Sequence, residues 1–219
     1  MKQKLFGRLA AAAVLLLGAA SASAHDFEVN GIYYNINSDG TSVSVTFKGS
    51  SYSSYSNEYS GAVTIPASVT YSGKTYTVTA IGNSAFYGCW RLESVEIPNS
   101  VKSISDNTFY ECSGLTSVSI GNSVTEIGEN AFYECSGLKK VEISDLEAWC
   151  KISFSNAEAN PIYYSHNLFL NGQEIKNLII PETVQELKSY VFMGCSGLTS
   201  VEIPNSVTSI DNYAFRECI

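Results

Sequence analysis

Reactive side chains are scarce in this sequence, and their spacing decides what they can do. Six cysteines and two histidines stand among 219 residues. Cys89, Cys112 and Cys135 follow one another at intervals of 23, and Cys195 and Cys218 repeat that interval; Cys150 alone is out of phase. A structural metal site asks for cysteines close in sequence or a Cys/His pair at ligand spacing, and neither exists here. His166, within Tyr163-Tyr164-Ser165-His166-Asn167, reads as an exposed loop residue. His25, as a new N-terminus, could hold copper through its amine and imidazole, but that chemistry needs a second histidine on a different framework. Glycoside hydrolysis needs two carboxylates about 5–9.5 Å apart. Glu96, Glu142 and Glu202 recur in one column of a repeat, yet Glu96 and Glu142 fall two strands apart, roughly 10 Å. No G-x-S-x-G elbow or Gly-rich phosphate loop accompanies them. Neither catalysis, nor a metal, nor a cofactor is expected.

Charge narrows the partners. The formal net charge is −8, from 13 Lys+Arg against 21 Asp+Glu. Lys2, Lys4 and Arg8 fall in the first 24 residues, which carry no acid, so without them ten basic groups face 21 acidic ones, a charge of −11. Such a surface repels nucleic acid, whose binding rests on Lys and Arg meeting phosphates, and it repels anionic membranes. Charged residues make up only 16%, so the polar surface is Ser, Thr, Asn and Tyr. That is a binder's composition more than a metabolic enzyme's.

The first 24 residues read as a secretory signal peptide: a basic start, the apolar run Leu9 to Leu17, and Ala22-Ser23-Ala24 as an A-x-A cleavage pattern. The run is short for a membrane span of about 20 residues. Cleavage after Ala24 is expected, with no transmembrane segment afterwards and a secreted or cell-surface location. The absence of a cysteine after the site argues against lipid attachment there.

The cysteine interval belongs to a repeat. Val78 to Ser100 reads VTAIGNSAFYGCWRLESVEIPNS and Val101 to Ser123 reads VKSISDNTFYECSGLTSVSIGNS. Val124 to Ile143 and Val184 to Ser206 follow the same pattern, and another copy opens at Val207 and stops at Ile219. In the second unit the apolar positions are Val101, Ile104, Phe109, Cys112, Leu115, Val118 and Ile120. Leu115-x-x-Val118-x-Ile120 ends in alternation, which predicts a short strand. Asn107-Thr108-Phe109-Tyr110 is long enough only for one helical turn. A unit of this size cannot bury seven apolar side chains alone, but stacked copies can, each residue meeting its counterpart one coil away. The prediction is a mainly β solenoid with a parallel strand ladder and phased cysteines pointing inward as small apolar residues. Stacked Cα atoms about 5 Å apart fall inside the disulfide window, but parallel Cβ vectors give poor torsions, so buried free thiols are favoured over bridges.

The pattern L-x-x-V-x-I-P-x-S-V-x-x-I-x-x-x-A-F-x-x-C resembles the BspA-like leucine-rich repeats of bacterial surface proteins, over roughly residues 62–219. The resemblance implies a leucine-rich-repeat solenoid, and loosely a role in adhesion or host-protein binding. It also implies an N-terminal cap, which the residues support independently. Asn30-Gly31, Asp39-Gly40 and Ser72-Gly73 each separate β-type runs and predict hairpins. The expected organisation is 1–24 signal peptide, 25–77 antiparallel β cap and 78–219 solenoid. An insertion is expected at about 144–174, with a hairpin at Asn171-Gly172 bulging from the stack, and the last repeat is incomplete. A fragment of a longer array is the favoured account of that incomplete repeat.

The face of the strands is the expected binding surface. Its columns are Glu93, Thr116, Lys139, Lys176 and Thr199; Ser94, Ser117, Lys140, Asn177 and Ser200; and Glu96, Ser119, Glu142, Ile179 and Glu202. From these, Glu93, Glu96, Ser117, Ser119, Lys139, Lys140, Glu142, Asn177, Ser200 and Glu202 are the partner-binding candidates. The ligand expected is an extracellular or host protein. Carbohydrate capture is the alternative, with Tyr163, Tyr164 and Trp149 stacking on sugars; so is a spacer role within a longer surface protein. Tyr87, Tyr110 and Tyr133 repeat at the same interval and read as simple stacking, half-buried or outward. The Tyr/Ser run from Ser51 to Ser60 has either a paratope-like composition or that of a spacer.

Overall fold

The computed structural model describes residues 25–53 and 57–218; the expected signal peptide, Ser54 to Ser56 and Ile219 lie outside the described residues. Six strands come first: β1 (Phe27–Val29), β2 (Ile32–Ile36), β3 (Ser42–Thr46), β4 (Gly61–Thr64), β5 (Ser68–Tyr71) and β6 (Lys74–Ile81). β1 and β2, β2 and β3, and β5 and β6 form the three antiparallel hairpins anticipated from their turn residues. Asn30 and Gly31 both have positive φ, as do Ser72 and Gly73. That is the primed two-residue turn whose twist matches a hairpin. Asp39 closes the third turn by accepting from the Thr41 and Ser42 amides and the Ser42 hydroxyl, which hold its pKa down at about 2. The cap is not antiparallel throughout. β3 pairs parallel with β6, so the cap's sheet runs directly into the repeats.

Each repeat then contributes two strands. β7 (Leu92–Glu96), β9 (Ser117–Ile120) and β11 (Lys140–Ile143) are the L-x-x-V-x-I segments; β8 (Ser103–Ile104) and β10 (Glu126–Ile127) are the V-x-x-I segments. The first set extends β4 in the order β4-β7-β9-β11, and the second extends β6 as β6-β8-β10, all parallel. Alternation sends Val118 and Ile120 inward and leaves Ser117 and Ser119 half-exposed, as period-two geometry requires. The third side of each coil is the A-F-x-x-C turn. Its amides donate to the next coil: Phe86 to Thr108 at 2.9 Å, Phe109 to Ala131 at 2.7 Å. Backbone groups are thereby satisfied coil to coil on all three sides, which lets so little helix suffice.

Between the sides, identical residues stack. Phe86, Phe109 and Phe132 have ring centroids 5.0 Å apart at each step and are fully buried. The phased cysteines are free and face inward. The Cys112 thiol donates to the Phe86 carbonyl at 3.0 Å and the Cys135 thiol to the Phe109 carbonyl at 3.1 Å. Burial pushes the Cys89 thiol up to about 11 and those of Cys150 and Cys195 to about 12. The S-G-L motif also has a packing reason. A Cβ on Gly114 would come within 2.2 Å of the Trp90 carbonyl oxygen, and one on Gly137 within 2.4 Å of that of Ser113. Arg91, at the same position one coil earlier, has the cap behind it: its amide donates to Asn57 Oδ1.

After β11 the sequence pattern lapses but the winding continues. α1 (Leu146–Cys150) is N-capped by Asp145, whose carboxylate accepts from the Ala148 amide. β12 (Ser153–Phe154) pairs with β10, a 3₁₀ turn (Ala157–Ala159) and α2 (Ile162–Ser165) occupy the turn side, and β13 (Leu168–Leu170) pairs with β11. The stretch expected as an insertion therefore begins as another turn of the stack. Only Asn171-Gly172 and β14 (Gln173–Glu174) leave the pattern, folding antiparallel onto β13.

There both ladders stop. β15 (Asn177–Ile179) pairs with β17 (Ser200–Glu202) and β16 (Glu186–Leu187) with β18 (Ser209–Ile210), as two separate two-stranded sheets. The apolar core runs on through Leu178, Ile180, Leu187 and Phe192. Side chains bridge the seam instead of backbone. Asn160 Nδ2 donates to the Tyr190 carbonyl at 2.6 Å, Trp149 Nε1 to the Val191 carbonyl at 3.0 Å, and Lys188 Nζ to Ser153 Oγ at 2.9 Å. His166 Nδ1 lies 3.0 Å from the Gly194 carbonyl.

Candidate recognition surface

The face of the first ladder carries most of the candidate residues, in a register that the hydrogen bonding defines. Ser94, Ser117 and Lys140 align across β7, β9 and β11, and Thr64, Glu96, Ser119 and Glu142 form the neighbouring column. Together they line a shallow groove of about 260 Å³. Glu93 and Lys139 are exposed beside it, and the Lys139 amide donates to the Thr116 carbonyl one coil back. The Thr64 hydroxyl donates to Glu96 at 3.2 Å.

Two candidates are already engaged. Lys140 Nζ lies 2.8 Å from Glu142 and 5.0 Å from the centre of the Phe169 ring. The other Glu142 oxygen accepts from the Gly172 amide at 2.7 Å. This pair straps the Asn171-Gly172 hairpin to the ladder. The expected succession from Glu142 to Ile179 does not occur: Phe169 follows Glu142 in register. Asn177, Ser200 and Glu202 align on β15 and β17 beyond the seam, so the ten candidates occupy two sheets. At the seam, Leu170, Ile175 and Ile179 line an apolar recess.

The carbohydrate alternative loses its main ring. Trp149 is buried, with its indole N–H spent on the Val191 carbonyl. Tyr164 is occupied too, its hydroxyl accepting from the Glu134 amide at 3.0 Å. The exposed indole is Trp90, which sequence reasoning passed over. Its signal was Trp90-Arg91 standing where the other units have Ser-Gly. The Tyr ladder is present, half-buried as expected, with centroid steps of 5.0 and 4.7 Å, and Tyr52 from the Tyr/Ser run meets its Tyr87 end at a tilt of 59°.

Among the described residues, no group of three or more His, Cys, Asp or Glu side chains could hold a metal. The buried thiols are held protonated by desolvation, the reverse of an activated nucleophile. Among the described residues, no helix is long and apolar enough to cross a membrane.

The repeat profile of the BspA type leucine-rich repeat region matches in six copies, over residues 51–168 and 162–219. The chain belongs to that family. A leucine-rich repeat protein from Bacteroides ovatus is similar at 28% identity and a TM-score of 0.54, over 89% of this chain and 45% of that one. A leucine-rich cell surface protein from Faecalibacterium prausnitzii is similar at 26% identity and a TM-score of 0.50, over 87% and 45%. A leucine-rich repeat protein from Bacteroides capillosus shares 27% identity at a TM-score of 0.50, over 67% of this chain and 98% of its own. The BspA-type chain thus spans less than half the length of the first two. No curated protein is recognisably similar to it.

Proposed function

We propose that this BspA-type repeat protein is exported, with cleavage after Ala24, and serves as a non-catalytic recognition module for an extracellular or host protein at the bacterial surface. The observation that carries the reading is the ladder face. Side chains of mixed character stand in register on a hydrogen-bonded sheet, so a partner meets fixed positions at little ordering cost. The similarity to a cell surface protein of Faecalibacterium prausnitzii and the A-x-A pattern ending at Ala24 support export. The cap over 25–77 and the repeats over 78–219 are proposed as its two parts. Glu93, Glu96, Ser117, Ser119 and Lys139 are the contacts on the first sheet, and Asn177, Ser200 and Glu202 those on the second. Lys140 and Glu142 act chiefly by fixing the hairpin between them.

The test is a binding screen against extracellular matrix proteins. A ligand found there should lose affinity when Glu93, Ser119 and Lys139 are replaced together by alanine. Undiminished binding by that variant would remove this face from the proposal.

A further inference from the structure

Trp90 breaks the regularity of the stack. It stands where other units have Ser113, Ser136 and Ser196, and it is 50% exposed. With Tyr110, Tyr133, Glu111 and Glu134 it lines an open groove of about 510 Å³ on the turn side of the coils, away from the ladder face. Tyr110 is stacked between Tyr87 and Tyr133, at centroid distances of 5.0 and 4.7 Å, so it offers the groove its edge and hydroxyl, while Tyr133 has one face covered. Arg91 already rests its guanidinium 4.6 Å from the centre of the Trp90 ring, which shows that this indole accepts a cation.

The two glutamates are placed against local preference. Glu111 has φ +59° and Glu134 has φ +57°, in the left-handed region that disfavours any side chain. The same corner is glycine at Gly88 and Gly194 and glutamate again at Glu217, all with positive φ, but Glu217 is paired with Arg216. Backbone geometry therefore favours glycine at 111 and 134, and the sequence supplies carboxylates one coil, about 5 Å, apart. Among the described residues neither forms an ion pair, although Lys140, Lys151, Lys176 and Arg216 do. The Tyr110 hydroxyl is held protonated by partial burial and then by the charges of Tyr133, Glu111 and Glu134. The groove is thus aromatic on one side and anionic on the other.

We propose that this groove binds the basic side chains of an extended polypeptide segment. Glu111 and Glu134 receive Lys or Arg head groups on successive coils, and the open part of the Trp90 ring covers an alkyl stem or a guanidinium. Charge complementarity decides the occupant. A neutral sugar could donate hydroxyls to the two exposed carboxylates but would leave both charges unmatched, whereas Lys or Arg head groups meet them with charge-assisted hydrogen bonds. The surface is separate from the ladder face, and its test does not depend on that reading.

Trp90 reports directly, because the other tryptophan, Trp149, is buried and gives a constant background. The protein is titrated with a short Lys/Arg-rich peptide and with a Gln-substituted counterpart. Saturable change in Trp90 emission is expected with the basic peptide alone. Affinity should fall at least about tenfold in a Glu111→Gln/Glu134→Gln variant, and stay unchanged in Glu126→Gln/Glu186→Gln, which removes the same charge from β10 and β16, strands outside the groove. A Glu111→Gly/Glu134→Gly variant separates binding from folding: it should melt at a higher temperature, as the backbone strain is relieved, yet lose the peptide equally. Undiminished binding by either groove variant would overturn the proposal. So would equal binding of the Gln peptide, a response to neutral oligosaccharide with none to the basic peptide, or no saturable response.

Discussion

The side-chain amide of Asn160 donates to the main-chain carbonyl of Tyr190 at 2.6 Å across the break between two stretches of parallel ladder. A second, longer contact of 3.3 Å reaches Val191, whose carbonyl also takes the Trp149 indole N–H. Elsewhere on this side of the solenoid, main-chain amides make such contacts, and they cannot be lost by mutation. At the seam they can.

Replacing Asn160 with alanine should therefore cost about 1–3 kcal/mol, because the Tyr190 carbonyl loses this donor and the Ile162 amide its acceptor. The loss should be local in its first effect. Hydrogen exchange should show amides of Asn177 to Leu187 opening before those of β7 to β11, since the former lack a ladder bond to the preceding coil. Exchange that accelerates equally on both sides of the seam would contradict this.

The thiol ladder makes a graded prediction. Cys112 is fully buried and bonded to Phe86, whereas Cys218 is half-buried at the last coil. Cys112→Ala should destabilise by about 1–3 kcal/mol through the cavity it leaves, the Phe86 carbonyl keeping the Cys89 amide as donor, and Cys218→Ala by clearly less. An aromatic disulfide reagent should label Cys218 first in the native protein and reach all six thiols only on unfolding. Rapid native labelling of Cys112 would show the packing to be wrong.

Alkaline pH should weaken the fold. Burial raises Cys89 to about 11, Cys150 and Cys195 to about 12, and Tyr34 to about 12. The native state then keeps protons that the unfolded thiols release near their ordinary pKa of about 8.5. Their contribution is complete below that pH and declines as pH climbs toward 11–12. Urea midpoints measured from neutral pH to pH 10.5 should fall, and a Cys89→Ala/Cys150→Ala/Cys195→Ala variant should show a shallower fall. A flat profile in the parent protein would refute the burial argument.

Gly114→Ala should cost about 1–3 kcal/mol or more by overpacking, because the new methyl meets a fixed carbonyl oxygen at 2.2 Å. Arg91→Ala, at the equivalent position of the preceding unit, should change stability by less than about 0.5 kcal/mol as an exposed surface substitution. Equal thermal shifts in the two variants would count against coil-to-coil contact as the reason for the S-G-L motif.

Much of the architecture was legible before any coordinates. The interval of 23, the fixed apolar positions and the Asn-Gly, Asp-Gly and Ser-Gly turns specified the coils, the ladder and the cap hairpins, because these are local or nearest-neighbour properties. The stretch from Ser144 to Glu174 was not legible in the same way. There Phe154, Ile162 and Leu168 take inward positions without the family spacing, and only pairing of β12 with β10 and β13 with β11 shows that the coil is kept. The candidate face was legible column by column up to Glu142 and failed beyond it, since Phe169 enters the register from outside the repeat.

What the amino-acid order determined alone was therefore the unit: which residues point inward, and that each must find a copy of itself one coil away, because no single unit has enough apolar surface to bury its own. What only the tertiary structure decided was the exceptions. Trp149 turns inward because a carbonyl at Val191 awaits its N–H, Lys140 and Glu142 are consumed by a hairpin, and Trp90 opens onto a groove between carboxylates of later coils. The first two depend on groups 42 and 30 residues distant and the third on residues of the next coils, and spacing along a chain carries no information about which donor reaches which acceptor in space.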